Sequence, residues 1–287
     1  ARRANGLQKT AGGVPGGSRG IMVESFFGFT GTPFGRSLPV ADLLKSEAWD
    51  ELVGRLHYVA TRKSFAVVTG DSGTGKTTAL RRFVSELDFN RYRVLYVCDS
   101  DLTPRNFYWE TLHQLGYEPR FYRGDAKRQL QKALVELIQN RVSPVVAVDE
   151  AHLLSREMLE EIRFLLNTSM DSASSVSLVL VGQTELKERL KLQIHQAIDG
   201  RVDVRVHLEA LSKEETALYV KQHLSAVKGP GEIFTSHAVN VIHEFSGGVP
   251  RRVNKLAICC LMAAATRKVT LVDDHLVREV IESEFNL

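Results

Sequence analysis

The stretch VVTGDSGTGKTTALRRF, residues 67–83, governs how the rest of the chain is read. Small and apolar residues run into a turn rich in glycine, then a lysine and two threonines, and an amphipathic pattern follows. Gly70, Asp71, Ser72, Gly73, Thr74, Gly75, Lys76 and Thr77 fit G-x-x-x-x-G-K-[ST] at every fixed position. The glycines let the backbone turn so that successive N–H groups converge on phosphate oxygens, and the helix that follows adds its positive end. Lys76 suits the β and γ phosphates, Thr77 suits Mg2+, and Thr78 completes the cradle. An ordinary glycine-rich turn has a similar composition. Here, however, the turn follows an apolar strand-like run, SFAVVTG at 64–70, and opens a helix, which is the context the motif requires.

A second stretch, VVAVDEAH at 145–152, sets two adjacent carboxylates at the end of another apolar run. Two carboxylates there are costly without a cation. Asp149 suits the Mg2+ shell, and Glu150 suits orienting the water that attacks a γ phosphate. A solvated strand end is the plainer alternative for Glu150. The chain lacks N-K-x-D, the guanine-selecting motif, so ATP is the expected nucleotide. The letters DEAH also mark a helicase box. That class needs a second RecA-like domain, which the short and helical residues 211–287 do not supply.

Outward from these two points, apolar runs alternate with helical patterns. Strands are expected at 64–70, YRVLYVCD, SPVVAVD, VSLVLVGQ and VDVRVHLEAL, with helices between them, one of them continuous through TELKERLKLQIHQAIDG. Near-continuous apolar strands joined by helices predict a parallel sheet covered on both faces, an α/β fold. After Leu211 only helical patterns remain, and Ser212 with Glu215 fits a capping box that opens the first. The expected organisation is a leader at 1–21, an α/β nucleotide-binding domain at 22–210, and a small all-helical domain at 211–287. The α/β domain carries MVESFFGFTGTPF (22–34) as an extended aromatic hook presenting Phe26, Phe27, Phe29 and Phe34. The leader is glycine-rich, basic and free of Asp and Glu, which reads as disordered or a cloning remnant, with a basic DNA-binding arm as the sharper alternative.

The 287 residues are 44% hydrophobic and 25% charged, an ordinary globular composition. A net charge of +3 permits a nucleic-acid partner without arguing for one. Cys98, Cys259 and Cys260 show no metal-ligand spacing and read as reduced thiols. No run of about 18 apolar residues occurs, so neither a membrane span nor a membrane partner is expected, and the expected location is the bacterial cytoplasm.

The two strand-end motifs, a polar end to the fourth strand and a helical C-terminal lid resemble the AAA+ family over about residues 35–287. That resemblance implies a P-loop core with a five-stranded parallel sheet, ATP and Mg2+ as cofactors, and ATP hydrolysis. It implies a polar residue contacting the γ phosphate after the fourth strand. VLVGQT offers Gln183, with Thr184 second. It implies an arginine reaching a neighbouring subunit's ATP from just before the fifth strand. AIDGRVDVRVHL offers Arg201, with Arg205 a poorer choice inside the strand. GGVPRRVNKL (247–256) resembles the family's G-x-P-R motif, which makes Arg251 the lid residue that reports nucleotide state, with Arg252 its competitor.

FFGFTGTPF, DEAHLL followed by EEIRFLLN, LVLVGQTEL and GGVPRRVNKL together are similar to the ExeA-like ATPases. That branch includes envelope ATPases that assemble a secretion pore and helpers of bacterial transposases such as the IstB, TnsC and TniB proteins. The secretion proteins continue into a membrane span and a cell-wall-binding region. The end of this sequence at Leu287 therefore favours the transposition helper as the expectation. Its implied partners are duplex DNA bound without sequence preference, a transposase, and further copies of itself in a ring or helical filament. Residues 103–134 carry Arg105, Arg120, Arg123, Lys127, Arg128 and Lys132 with Phe121 and Tyr122 interleaved, a stripe suited to phosphate contact, or alternatively a solvated helix face.

Overall fold

The computed structural model describes residues 23–35, 46–166, 174, 176–230 and 232–285. The leader expected at 1–21 lies outside them.

Five parallel strands make one sheet: β1 (Phe65–Gly70), β2 (Tyr92–Cys98), β3 (Ser143–Asp149), β4 (Ser177–Val181) and β5 (Val204–Leu208), in the order β2-β3-β4-β1-β5. The three inner strands carry the apolar runs. β1 and β4 are buried at every position, and β3 at all but Ser143. Each fully buried Val or Leu there contributes about 2 kcal/mol. The edge strands alternate instead: Leu95 and Val97 of β2 are buried while Arg93, Tyr96 and Cys98 face out. The outer edge of β2 is closed at one point by a side chain. Tyr96 N donates to Gln114 Oε1 at 2.9 Å, and Gln114 Nε2 donates to the Tyr96 carbonyl at 2.6 Å.

Helices α1 (Glu47–Arg62), α2 (Lys76–Glu86), α3 (Pro104–Gln114), α4 (Arg123–Gln139) and α5 (Arg156–Leu166) surround the sheet. Ser46 caps α1, and Thr103 caps α3, which has Pro104 in its first turn. Beyond β4, the single helix expected through TELKERLKLQIHQAIDG is broken. It forms α6 (Thr184–Leu190), a 3-10 turn (Gln193–His195) and α7 (Gln196–Asp199). In the sequence Leu186, Leu190, Ile194 and Ile198 keep a four-residue apolar spacing through the break, which conceals the kink; in the structure Ile194 is 52% exposed and His195 is buried in its stead.

The remaining helices are α8 (Lys213–Ala226), α9 (Ser236–Ser246), α10 (Pro250–Arg267) and α11 (Asp274–Glu284). The capping box is formed: Ser212 N donates to Glu215 Oε2 at 2.9 Å and Glu215 N to Ser212 Oγ at 3.1 Å.

Contacts divide the chain into two units. One comprises Pro39–Glu215 and Gly247–Arg252. The other comprises the described part of 1–38, Thr216–Ser246 and Val253–Leu287. This corrects two expectations. The aromatic hook groups with the helical unit and not with the α/β unit, because Phe27, Phe29 and Phe34 are buried there while Phe26 is half-buried. Phe34 stacks on His223 with centroids 5.1 Å apart, Thr30 N donates to the Val227 carbonyl at 2.9 Å, and a Cβ on Gly229 would stand 2.7 Å from the Phe29 ring. The hook is also not extended at its start. Residues 23–27 are helical, ended by Gly28 at φ +70°. The glycine-proline segment 247–252 in turn groups with the α/β unit.

His223 is buried between Phe34 and Tyr219, and burial pushes its imidazole down to about 4. A histidine kept neutral in the fold stabilises it fully above the ordinary value of 6.5 and progressively less as pH falls from there toward 4. That window corresponds to a loss on the order of 3 kcal/mol. Denaturation of wild type and His223→Leu across pH 7 to 4 is expected to show the wild type losing more stability on acidification than the variant.

Candidate functional site

The phosphate loop lies between β1 and α2, and two of its glycines are fixed by neighbours as well as by conformation. Gly73 has φ +89°, and a Cβ there would stand 2.8 Å from Arg251 Cβ. Gly75 has φ +99°, and a Cβ would meet the Trp49 indole at 2.5 Å. Both positions demand left-handed backbone with no side chain. Helix α2 begins at Lys76 with Gly75 at its N-cap and no side-chain cap, so its first amides are left for an anion.

Lys76 is 9% exposed, and its ammonium donates to the carbonyls of Gly70 at 2.8 Å and Asp71 at 2.7 Å. Burial pushes its pKa down. The carboxylates of Glu150, Asp149 and Asp71 oppose that, and Arg251 adds to it. Thr74 Oγ1 donates to the Asp71 carbonyl at 2.9 Å, tightening the loop.

Asp149 ends β3 at 3% exposure. Its Oδ2 accepts from Thr77 Oγ1 at 2.7 Å and Tyr96 OH at 3.1 Å, and its Oδ1 accepts from Glu150 N at 2.8 Å. A buried carboxylate beside a threonine hydroxyl is an all-oxygen donor pair, which fits Mg2+. Among the described residues no cluster of three or more His, Cys, Asp or Glu side chains offers an alternative metal site. Tyr96, on the adjacent strand, was not anticipated. Burial and the Asp149 carboxylate both push its hydroxyl upward, so it remains a donor. Glu150 sits in the left-handed region at φ 52°, an uncommon place for a side-chain-bearing residue, and its carboxyl side chain is 44% exposed.

At the end of β4, Gln183 occupies the N-cap of α6 but its side chain makes no capping bond. Its neighbour Thr184 donates from Oγ1 to Asp71 Oδ1 at 2.8 Å. Of the two polar residues, it is the second choice, Thr184, that touches the phosphate loop with its side chain. Arg251 reaches the same loop: its NH1 donates to Ser72 Oγ at 3.1 Å and its backbone N to the Gly73 carbonyl at 3.3 Å. Its competitor Arg252 makes a local turn bond to Val249. Arg201 lies just before β5 and donates to the Arg163 carbonyl at 3.4 Å. Arg205, inside β5, pairs with Asp199 at 2.9 Å.

The basic stripe is partly consumed within the fold. Arg123 pairs with Glu157 and Glu161, Lys127 with Glu161, and Arg128 with Asp125. Burial alone would raise the Glu161 carboxyl, but Lys127, Tyr108 and Arg123 outweigh it and hold it down at about 2. Arg105 lies over the Phe121 ring, 4.7 Å from its centroid, with Trp109 also in range at 5.9 Å. Arg120 and Lys132 are exposed, as are Phe121 and Tyr122 at 67% and 71%. Sequence spacing could not show that a distant helix supplies Glu157 and Glu161.

Residues 59–190 match the family model of an AAA domain. The chain is 32% identical over 254 residues to General secretion pathway protein A of Aeromonas hydrophila, covering 86% of this chain and 45% of that relative, so it spans less than half the relative's length. Among solved structures, Drosophila ORC bound to DNA superposes with TM-score 0.66 at 19% identity, covering 98% of this chain and 70% of that one. The Aeropyrum pernix ORC2 protein in its ADPNP-ADP complexes superposes with TM-score 0.67 at 14% identity, covering 87% and 70%. The fold is the AAA+ P-loop fold: a five-stranded parallel sheet with surrounding helices and a C-terminal helical region. No helix among the described residues is long and apolar enough to cross a membrane.

Gly73→Ala places a methyl group against Arg251 on a backbone that disfavours it. Titration with a fluorescent ATP analogue is expected to show affinity reduced by about tenfold or more, which corresponds to roughly 1.4 kcal/mol, with the circular dichroism of the fold retained.

Proposed function

We propose that this chain is a Mg2+-dependent ATPase that times the assembly of a regulator of DNA transposition. It assembles on duplex DNA with ATP bound and recruits or activates a transposase. The observation that carries the nucleotide switch is the bond from Arg251 to Ser72 and Gly73, which ties the G-x-P-R segment to the phosphate loop.

In this reading the loop amides and Lys76 bind the phosphates, and release of the Lys76 ammonium from the Gly70 and Asp71 carbonyls frees its donors for them. Thr77 and Asp149 hold Mg2+, which when bound neutralises phosphate charge. Glu150 orients and polarises the attacking water. Gln183 and Thr184 sense the γ phosphate from the end of β4, and Arg201 acts on the ATP of a neighbouring copy. DNA contact comes from Arg105 and Arg120, with Arg123, Lys127 and Arg128 contributing charge from within their ion pairs.

A second reading, an ATPase of secretion-pore assembly at the envelope, is favoured by the 32% identity to General secretion pathway protein A. Binding to labelled random duplex DNA, with ATP, with ADP and without nucleotide at two salt concentrations, separates the two. Binding that requires ATP and weakens steeply with salt supports the DNA reading. No binding in any state, with ATP binding intact, moves the function to the envelope. Glu150→Gln is expected to bind ATP at wild-type affinity while turnover falls by about two orders of magnitude, and to remain on DNA. Normal hydrolysis by this variant overturns the role given to Glu150.

A further inference from the structure

The DEAH stretch contains one residue that the nucleotide chemistry leaves unused. His152 lies in the 3-10 turn Ala151–Leu153 directly after Glu150, and its side chain is 10% exposed. Its Nδ1 accepts the backbone N–H of Gln183 at 3.4 Å, and the same nitrogen lies 3.5 Å from Glu150 Oε2. These two neighbours make opposite demands. A neutral ring with its proton on Nε2 offers Nδ1 as an acceptor to Gln183. A protonated ring has only donors, so Nδ1–H turns to the carboxylate and the Gln183 N–H loses its acceptor.

The turn that carries the imidazole is held firmly. Arg189 of α6 donates to the carbonyls of His152 and Leu154, the latter at 2.6 Å, and a Cβ on Gly182 would stand 3.0 Å from His152 N. The charged groups brought to it are Glu150 from its own turn and Arg189 from α6, with Asp149 at the strand end beyond. Gln183 is followed at once by Thr184, whose hydroxyl is bonded to Asp71 of the phosphate loop. One imidazole nitrogen therefore joins the end of β4 to Glu150.

On the reading of Glu150 as the water-orienting group, we propose that His152 is its positioning residue. Neutral His152 holds the Gln183 amide and leaves the Glu150 carboxylate at liberty to engage water. Protonated His152 captures that carboxylate as an ion pair and silences it. The two protonation states of this imidazole therefore differ in whether Glu150 is at liberty, and the pH profile of turnover reads that difference.

The test uses the full chain and compares wild type, His152→Ala and His152→Asn. Turnover and KM for ATP are followed across pH, and nitrogen NMR of the imidazole reports its protonated atom. Wild type is expected to show Nδ1 unprotonated at neutral pH and an acid limb in kcat. His152→Ala loses about tenfold in kcat with KM within about twofold. Asn sets an oxygen near the place of Nδ1 without titrating, so it restores most of the turnover lost to alanine and removes the acid limb. An acid limb that survives in His152→Asn, a His152→Ala variant with wild-type kcat, or Nδ1 protonated at neutral pH overturns the assignment. Wild-type turnover in Glu150→Gln, measured alongside, overturns the water-orienting reading beneath it and is separate from every result at position 152.

Discussion

Two opposite charges withdrawn from water at the strand ends, the Lys76 ammonium and the Asp149 carboxylate, constrain everything built around them. Neither is tolerable alone in an apolar sheet end. Each is satisfied by groups that the fold must place: two loop carbonyls for Lys76, and a threonine hydroxyl, a tyrosine hydroxyl and a backbone amide for Asp149. Those partners come at once from the end of β1 and the loop after it, from α2, from β2 and from the turn after β3. The register Cys98↔Asp149 brings the edge strand level with the carboxylate, and so Tyr96 within reach of it. A slip of one residue would turn Tyr96 to the opposite face.

The loop itself is shaped by close approach. The Trp49 ring fills the place of a side chain at Gly75, and Arg251 does so at Gly73. The loop is thereby held against α1 on one side and the glycine-proline segment on the other, with little room for backbone drift. Glu150 by contrast stands in the sparsely populated left-handed region with its carboxyl partly in solvent.

Much of this was legible in the sequence. The inner strands announced themselves as apolar runs, the loop by spacing and context, and Asp149 and Glu150 by their place at a strand end. What stayed hidden depends on partners remote in the chain. Nothing near residue 96 says that its hydroxyl meets Asp149, and nothing near Arg123 or Lys127 says that Glu161 takes them up. The hook was misplaced because four phenylalanines state a need for burial without saying which surface meets it. The kink after Leu190 is hidden because Leu186, Leu190, Ile194 and Ile198 are spaced as on one helix, although Ile194 faces solvent. Position alone cannot tell which of the adjacent Gln183 and Thr184 side chains turns toward Asp71; the structure shows that it is Thr184.

The amide of Gln114 lies along β2 as a neighbouring strand would, giving Tyr96 both a donor and an acceptor. A sheet that ends in an open strand invites another chain to extend it. Here the invitation is withdrawn at the residue whose ring carries the hydroxyl bonded to Asp149. Copies of this chain that gather together have no backbone rung to share at that point. A foreign strand must displace Gln114 to dock there, and in doing so it would disturb the support of the buried carboxylate. The glutamine thus guards the sheet against unplanned growth and shields the Thr77–Asp149 pair from it.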